Sequence, residues 1–100
     1  MYFNTTRLLQ GNGKLYEQKD VQIIHKTVSA GDGIPPHSHP DCWVLFIPVQ
    51  GNFSVEINED SYEVIPGQIL EFDGNATMSA HCEQHSQAMV VLQRKQEFSL

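Results

Sequence analysis

The stretch Gly31-Asp-Gly-Ile-Pro-Pro-His-Ser-His-Pro40 decides how this chain is read. A Gly/Pro-rich turn runs straight into two histidines, His37 and His39, separated by one residue. Successive side chains of an extended strand point to opposite faces, so residues i and i+2 share one. Read as a strand, this piece aims both imidazoles at one small volume, which is how a sheet offers two nitrogen ligands to a metal. Alone, a His-x-His beside a turn fits a wet surface at least as well. Its meaning depends on the flanking chain.

The flanks read as strands. Val21–Val28 (VQIIHKTV) is β-branched and roughly alternating. His25 lies within it and is expected to face solvent or a satisfied polar neighbour. Proline has no N–H to donate, so Pro35-Pro36 should lie at a sheet edge or outside the ladder. Trp43–Val49 (WVLFIPV) is a dense apolar strand, too short for a core helix, stopped by Gln50-Gly51-Asn52. Phe53, Val55 and Ile57 then alternate with polar residues, Asn58–Ser61 is turn material, and a return strand runs from Tyr62 to Ile65. Beyond the Pro66-Gly67 turn, a strand over Ile69–Phe72, a turn at Asp73-Gly74-Asn75, an extended Thr77–Cys82, a polar loop and a strand over Ala88–Gln93 complete the pattern. Short strands punctuated by turns about every 8–12 residues define an all-β sandwich or barrel. No helical periodicity, internal repeat or low-complexity tract competes with that reading.

One hundred residues suffice for one domain with its own core. The barrel is placed at 21–93, preceded by an arm or edge strand over 1–20 and followed by a tail over 94–100. Thr6–Gln10 reads either as a helical turn or as an edge strand, and Gly11-Asn-Gly13 is a turn. With 40% hydrophobic and 18% charged residues the chain is ordinary for a soluble globular protein. A net charge of −6 and scattered Arg7, Lys14, Lys19, Lys26, Arg94 and Lys95 argue against nucleic acid as a partner. No apolar run approaches the roughly 20 residues of a membrane span. The first residues show no basic-then-apolar leader. Cys42 and Cys82 are the only cysteines, so reduced thiols and a cytoplasmic location are expected, with a single Cys42–Cys82 bridge as the alternative.

Gly31, His37, His39 and Gly51 have a specific spacing. It resembles the first motif of the cupin superfamily, Gly-x5-His-x-His-x(3–4)-Glu-x6-Gly, with Val44 at the glutamate position. The second motif, Gly-x5-Pro-x-Gly-x2-His-x3-Asn, lines up from Gly67 with Asp73, Asn75, Met78 and Cys82 at its proline, glycine, histidine and asparagine. The resemblance spans roughly residues 21–93 and implies a cupin-like double-stranded β-helix, or jelly-roll, barrel. It also implies a divalent-metal site of three histidines and a glutamate, from which this chain departs twice. Val44 cannot ligate, and Met78 offers a soft thioether better suited to Cu(I) than to Fe, Mn or Ni.

The metal candidates are therefore His37 and His39, with Met78 as a third contributor. Cys82 shares strand parity with Met78 but lies about 13 Å further along, too far to share one metal. His81 has the opposite parity and faces away unless the strand bulges at Ser79-Ala80. His85 falls in the polar loop; Asp73 and Glu71 read as a turn residue and a solvated strand residue. Trp43, Val44, Phe46, Phe72 and Cys82 are the candidate pocket walls where their parity points inward, with Trp43 alternatively a core or dimer-contact aromatic. The expected function is binding of a small organic ligand, a weakly held divalent metal (Zn, Ni, Fe, Mn or Cu), or both, with no metal at all as a further option. The alternative is a metal-dependent enzyme of isomerase, dioxygenase or decarboxylase type. A homodimer is the expected assembly, with the N-terminal arm as a pairing edge.

Overall fold

Alternation along Cys42–Gln50 shows how the chain divides inside from outside. Val44, Phe46 and Pro48 are buried, while Trp43 and Val49 are exposed and Leu45 and Ile47 half-buried. The same period-two pattern recurs in Ser86–Arg94, where Ser86, Ala88, Val90 and Leu92 turn inward.

The structure is a computed structural model that describes residues 6–96, and its regular elements are all strands. In order these are β1 (Gly13–Gln18), β2 (Val21–Val28), β3 (Gly33–His37), β4 (Cys42–Gln50) and β5 (Phe53–Ile57). Then come β6 (Asp60–Val64), β7 (Leu70–Asp73), β8 (Met78–His81) and β9 (Ser86–Arg94). All pairings are antiparallel, in a five-stranded sheet of order β1-β2-β9-β4-β7 and a four-stranded sheet of order β3-β8-β5-β6. Phe46 of the first sheet meets Phe53 of the second edge-to-face, with ring centroids 5.0 Å apart. With Val44 and Val55 these rings fill the space between the sheets. Burying each such side chain contributes about 1.5–3 kcal/mol, so this seam is a substantial part of what holds the two sheets together. The expected all-β barrel is what forms.

The prolines sit where a missing donor matters least. Pro35 and Pro36 lie in β3, the edge of the four-stranded sheet, within a register shift between Ile34 and His37. Pro48 follows the last β7 partner of β4, Phe46, and precedes another register shift. Within the N-terminal segment, β1 is an edge strand on β2, whereas Thr6–Gln10 forms neither helix nor strand. The rest of the expected arm (1–5) and of the tail (97–100) lies outside the described residues. The return strand β6 begins at Asp60 rather than Tyr62. Asn58, at φ 54°, lets the β5–β6 hairpin close in two residues, with Ile57 opposite Asp60.

The outer face of the five-stranded sheet is apolar as well. Ile23, Val91 and Leu45 form one cross-strand row, and Met89 and Ile47 continue the next beside His25. Trp43 and Val49 flank these rows and are 46% and 48% exposed. His25 is satisfied, as expected: Nδ1 meets the Gly11 carbonyl at 2.5 Å and Nε2 meets Gln87 Oε1 at 2.9 Å. Both cysteines are free. Among the described residues, no helix is long and apolar enough to cross a membrane.

Candidate ligand and metal site

The two histidines converge, though not by strand parity. His37 ends β3, but His39 lies two residues past it, in the turn leading to Asp41. What brings His39 back is the turn after β7. His39 N donates to the Gly74 carbonyl at 2.7 Å, and Gly74 N donates to the Cys42 carbonyl at 2.8 Å. Asp41, at φ 64°, donates its backbone N–H to Asn75 Oδ1 at 3.1 Å. The Asp73 carboxylate secures this turn by accepting from Asn75 N at 2.9 Å and from Lys95 Nζ at 2.8 Å. Both hydrogen bonds, Lys95's first, hold Asp73 below the usual carboxylate pKa. A side chain at Gly74 would run into the carbonyl oxygens of His39 and Cys42, so this position needs glycine for close approach rather than for its dihedrals.

The outcome is a pair of imidazoles with Nε2 atoms 3.1 Å apart and rings nearly perpendicular, at 87°. His37 Nδ1 lies 2.8 Å from the Pro35 carbonyl, which can only accept, so Nδ1 carries the proton and Nε2 presents its lone pair. In the metal-free protein His39 Nε2 then donates to it. A metal bound about 2.0–2.1 Å from each nitrogen at about 90–109° would set them about 2.8–3.4 Å apart. The observed spacing fits. A backbone carbonyl behind the ligating imidazole is also the usual support for such a ligand.

The remaining donors are sparse. No group of three His, Cys, Asp or Glu that could hold a metal exists among the described residues. Met78, opposite His37 in the β3–β8 ladder, and Val44 line the same interior space, so the two departures from the motif fall at the site itself. The histidines open onto a cavity of about 310 Å³, walled by Ile34, Val44, Phe46, Phe72, Met78 and Val90. A broader depression of about 370 Å³ on the other side of His39 is lined mainly by polar residues, including Glu17, Gln22 and Arg94.

Two expected wall residues lie elsewhere. Trp43 is one residue out of phase with Val44 and Phe46, so its ring faces outward, with Lys95 Nζ 4.5 Å from its centroid. Cys82 does point inward but at the far end of the interior, its Sγ 3.6 Å from the Ser29 carbonyl. His81 is exposed on an unbulged β8, and His85 is exposed in the loop before β9. Neither lines the cavity. Of the lining residues missed from the sequence, Ile24, Lys26, Ile34, Pro35 and Val90, the charged one is Lys26. Its signal was present: it shares strand parity with Ile24 and Val28 in β2.

No family model matches the chain, and no curated protein sequence does. Solved structures do. An RmlC-like cupin protein from Desulfovibrio desulfuricans is 14% identical, with a TM-score of 0.75 over 92% of this chain and 97% of that one. KdgF from Halomonas sp. is 18% identical, with a TM-score of 0.75 over 83% of this chain and 78% of its own. The cupin domain of Schizosaccharomyces pombe Cnp3 is 12% identical, with a TM-score of 0.77 over 90% of this chain and 70% of that one. The chain has the cupin fold, a double-stranded β-helix.

Desolvation, the neighbouring His37 and the Lys26 ammonium hold His39 below the ordinary histidine pKa of 6.5. The folded chain therefore keeps His39 neutral where the unfolded chain has begun to bind a proton. Its contribution to stability is fully present above pH about 6.5 and is lost as pH falls from there through the folded pKa. An NMR titration of the metal-free protein should show the His39 ring protons with a midpoint below 6.5. His39→Gln should flatten the loss of denaturant stability between about pH 7 and 5. A midpoint at or above the ordinary value would contradict the burial and the like-charged neighbours described.

Proposed function

We propose that this protein is a small-molecule binding module, whose apolar cavity takes a small organic ligand and whose His37/His39 pair holds a divalent transition metal weakly. The single observation behind this reading is the 3.1 Å spacing of the two Nε2 atoms at the mouth of an otherwise apolar cavity. Ligand pockets are typically of this kind, mostly hydrophobic with few placed polar groups. Zn, Ni, Fe, Mn or Cu could be accommodated, Met78 adding a thioether that favours Cu(I). When bound, the metal would polarise a ligand oxygen as a Lewis acid. The residues of this chain orient the imidazoles and exclude water.

A metal-dependent enzyme is the second reading, supported by the positions that two protein ligands leave open for a substrate. Val44 and Met78 weigh against it, since a site with two imidazoles holds metal less firmly than one with four protein ligands. The two free thiols are consistent with the proposed cytoplasmic setting.

Calorimetric titration with Zn or Ni should show one site per chain. His37→Ala or His39→Ala should weaken it at least tenfold, and His25→Ala should leave it unchanged. Equal affinity in all three variants would exclude the paired-histidine site.

We further propose a homodimer formed through the outer face of the five-stranded sheet. The Ile23–Val91–Leu45 row and its neighbours are too apolar to be left to water without cost, and a two-fold pairing buries the same patch on both copies. Light scattering should give twice the 11.3 kDa chain mass, and Leu45→Glu should give the monomer. A wild-type monomer would remove this assembly.

A further inference from the structure

Lys26 is a charge on an inward-facing position. It stands on the inner face of β2 between Ile24 and Val28, directly across the ladder from Ala88. It lines the 310 Å³ cavity together with His37 and His39. Its ammonium has no hydrogen-bond or ion-pair partner among the described residues, unlike Lys14, paired with Glu17, and Lys95, paired with Asp73. A lysine at a rim commonly lays its stem on apolar surface and keeps its head in water. Here the neighbours add something more.

The chain carries 12 acidic residues and a net charge of −6, yet no carboxylate lines this cavity. The only formally charged group there is the Lys26 ammonium, beside two imidazoles. A cleft lined by one sign of charge between low-dielectric walls concentrates ions of the other sign. An unpaired ammonium at an apolar surface is also stabilised by an anionic partner. Phosphate, carrying about two charges, usually draws a cluster of donors such as bidentate arginines, and none is present. A single lysine with apolar walls suits a monoanion. The volume matches roughly ten waters at about 30 Å³ each, which restricts the ligand to a small molecule.

We propose that the ligand of this cavity is a small apolar carboxylic acid, bound as its anion. The carboxylate lies against the Lys26 ammonium at the histidine end of the cavity, and the apolar body lies against Ile34, Val44, Phe72 and Met78. The inference rests on the cavity being the ligand site and is separable from it by experiment.

Benzoate and benzamide serve as probes of matched size, one charged and one neutral, titrated into the full-length metal-free protein and followed by methyl NMR of Ile34, Val44 and Met78. Benzoate should bind at least tenfold more tightly than benzamide. Lys26→Met, which keeps the stem and removes the charge, should abolish that difference, and Lys26→Arg should restore most of it. Lys26 is exposed, so both variants should fold, which circular dichroism would verify. Equal binding of the two probes by the wild type, or an undiminished preference in Lys26→Met, would overturn the carboxylate assignment while leaving the cavity as a ligand site. Binding of neither probe would overturn both.

Discussion

Gly74 has no Cβ, and that lets the β7–β8 turn press its backbone against the turn that carries His39. Two hydrogen bonds close the contact, from His39 N to the Gly74 carbonyl at 2.7 Å and from Gly74 N to the Cys42 carbonyl at 2.8 Å. A side chain there would collide with the oxygens of both partners. The loop after β3 has no ladder of its own, so without this contact nothing regular would fix His39 relative to His37. Asn75, Asp73 and Lys95 extend the contact into a network that also seats Lys95 over Trp43. A turn on one sheet thus determines the geometry of a site entered from the other.

That geometry creates a polar mouth on an apolar interior. The Pro35 carbonyl sets the His37 tautomer, the register of β3 on β8 places Met78 opposite, and β4 brings Val44 and Phe46 beneath. Replacing two potential ligands by apolar side chains lowers the number of donors and raises the fraction of wall that can receive hydrocarbon. In the proposed function, metal affinity and ligand binding are therefore traded against each other at the same positions. Lys26 then supplies a fixed charge in a cavity that the acidic residues of the chain avoid.

Most of the fold was legible because its signals are local. The alternation in Val21–Val28 and around Phe53–Ile57, and the Gly- and Pro-marked turns, each depend on a few neighbouring residues, and both strands form where the pattern places them. The His37/His39 pair was legible from spacing, but for a reason that fails in detail: parity covers His37 and stops before His39. The contact that replaces it joins residues about 35 positions apart, and no local pattern encodes that. Whether Trp43 walls the pocket is open in the sequence because an apolar strand such as WVLFIPV is hydrophobic on both faces, so composition does not say which one is inside. Cys82 was assigned the right face but the wrong end, since parity fixes direction and not depth. Lys26 was hidden by its charge, although its phase in β2 pointed inward.

The convergence of the two imidazoles is tested most directly by zinc K-edge X-ray absorption on the zinc-loaded protein. The spectrum should show two imidazole nitrogens about 2.0–2.1 Å from the metal, with their ring scattering, and light atoms completing the shell. In His39→Ala one imidazole should vanish. A zinc environment without imidazole scattering, or one that is the same in His39→Ala, would contradict a metal-binding pair at His37 and His39.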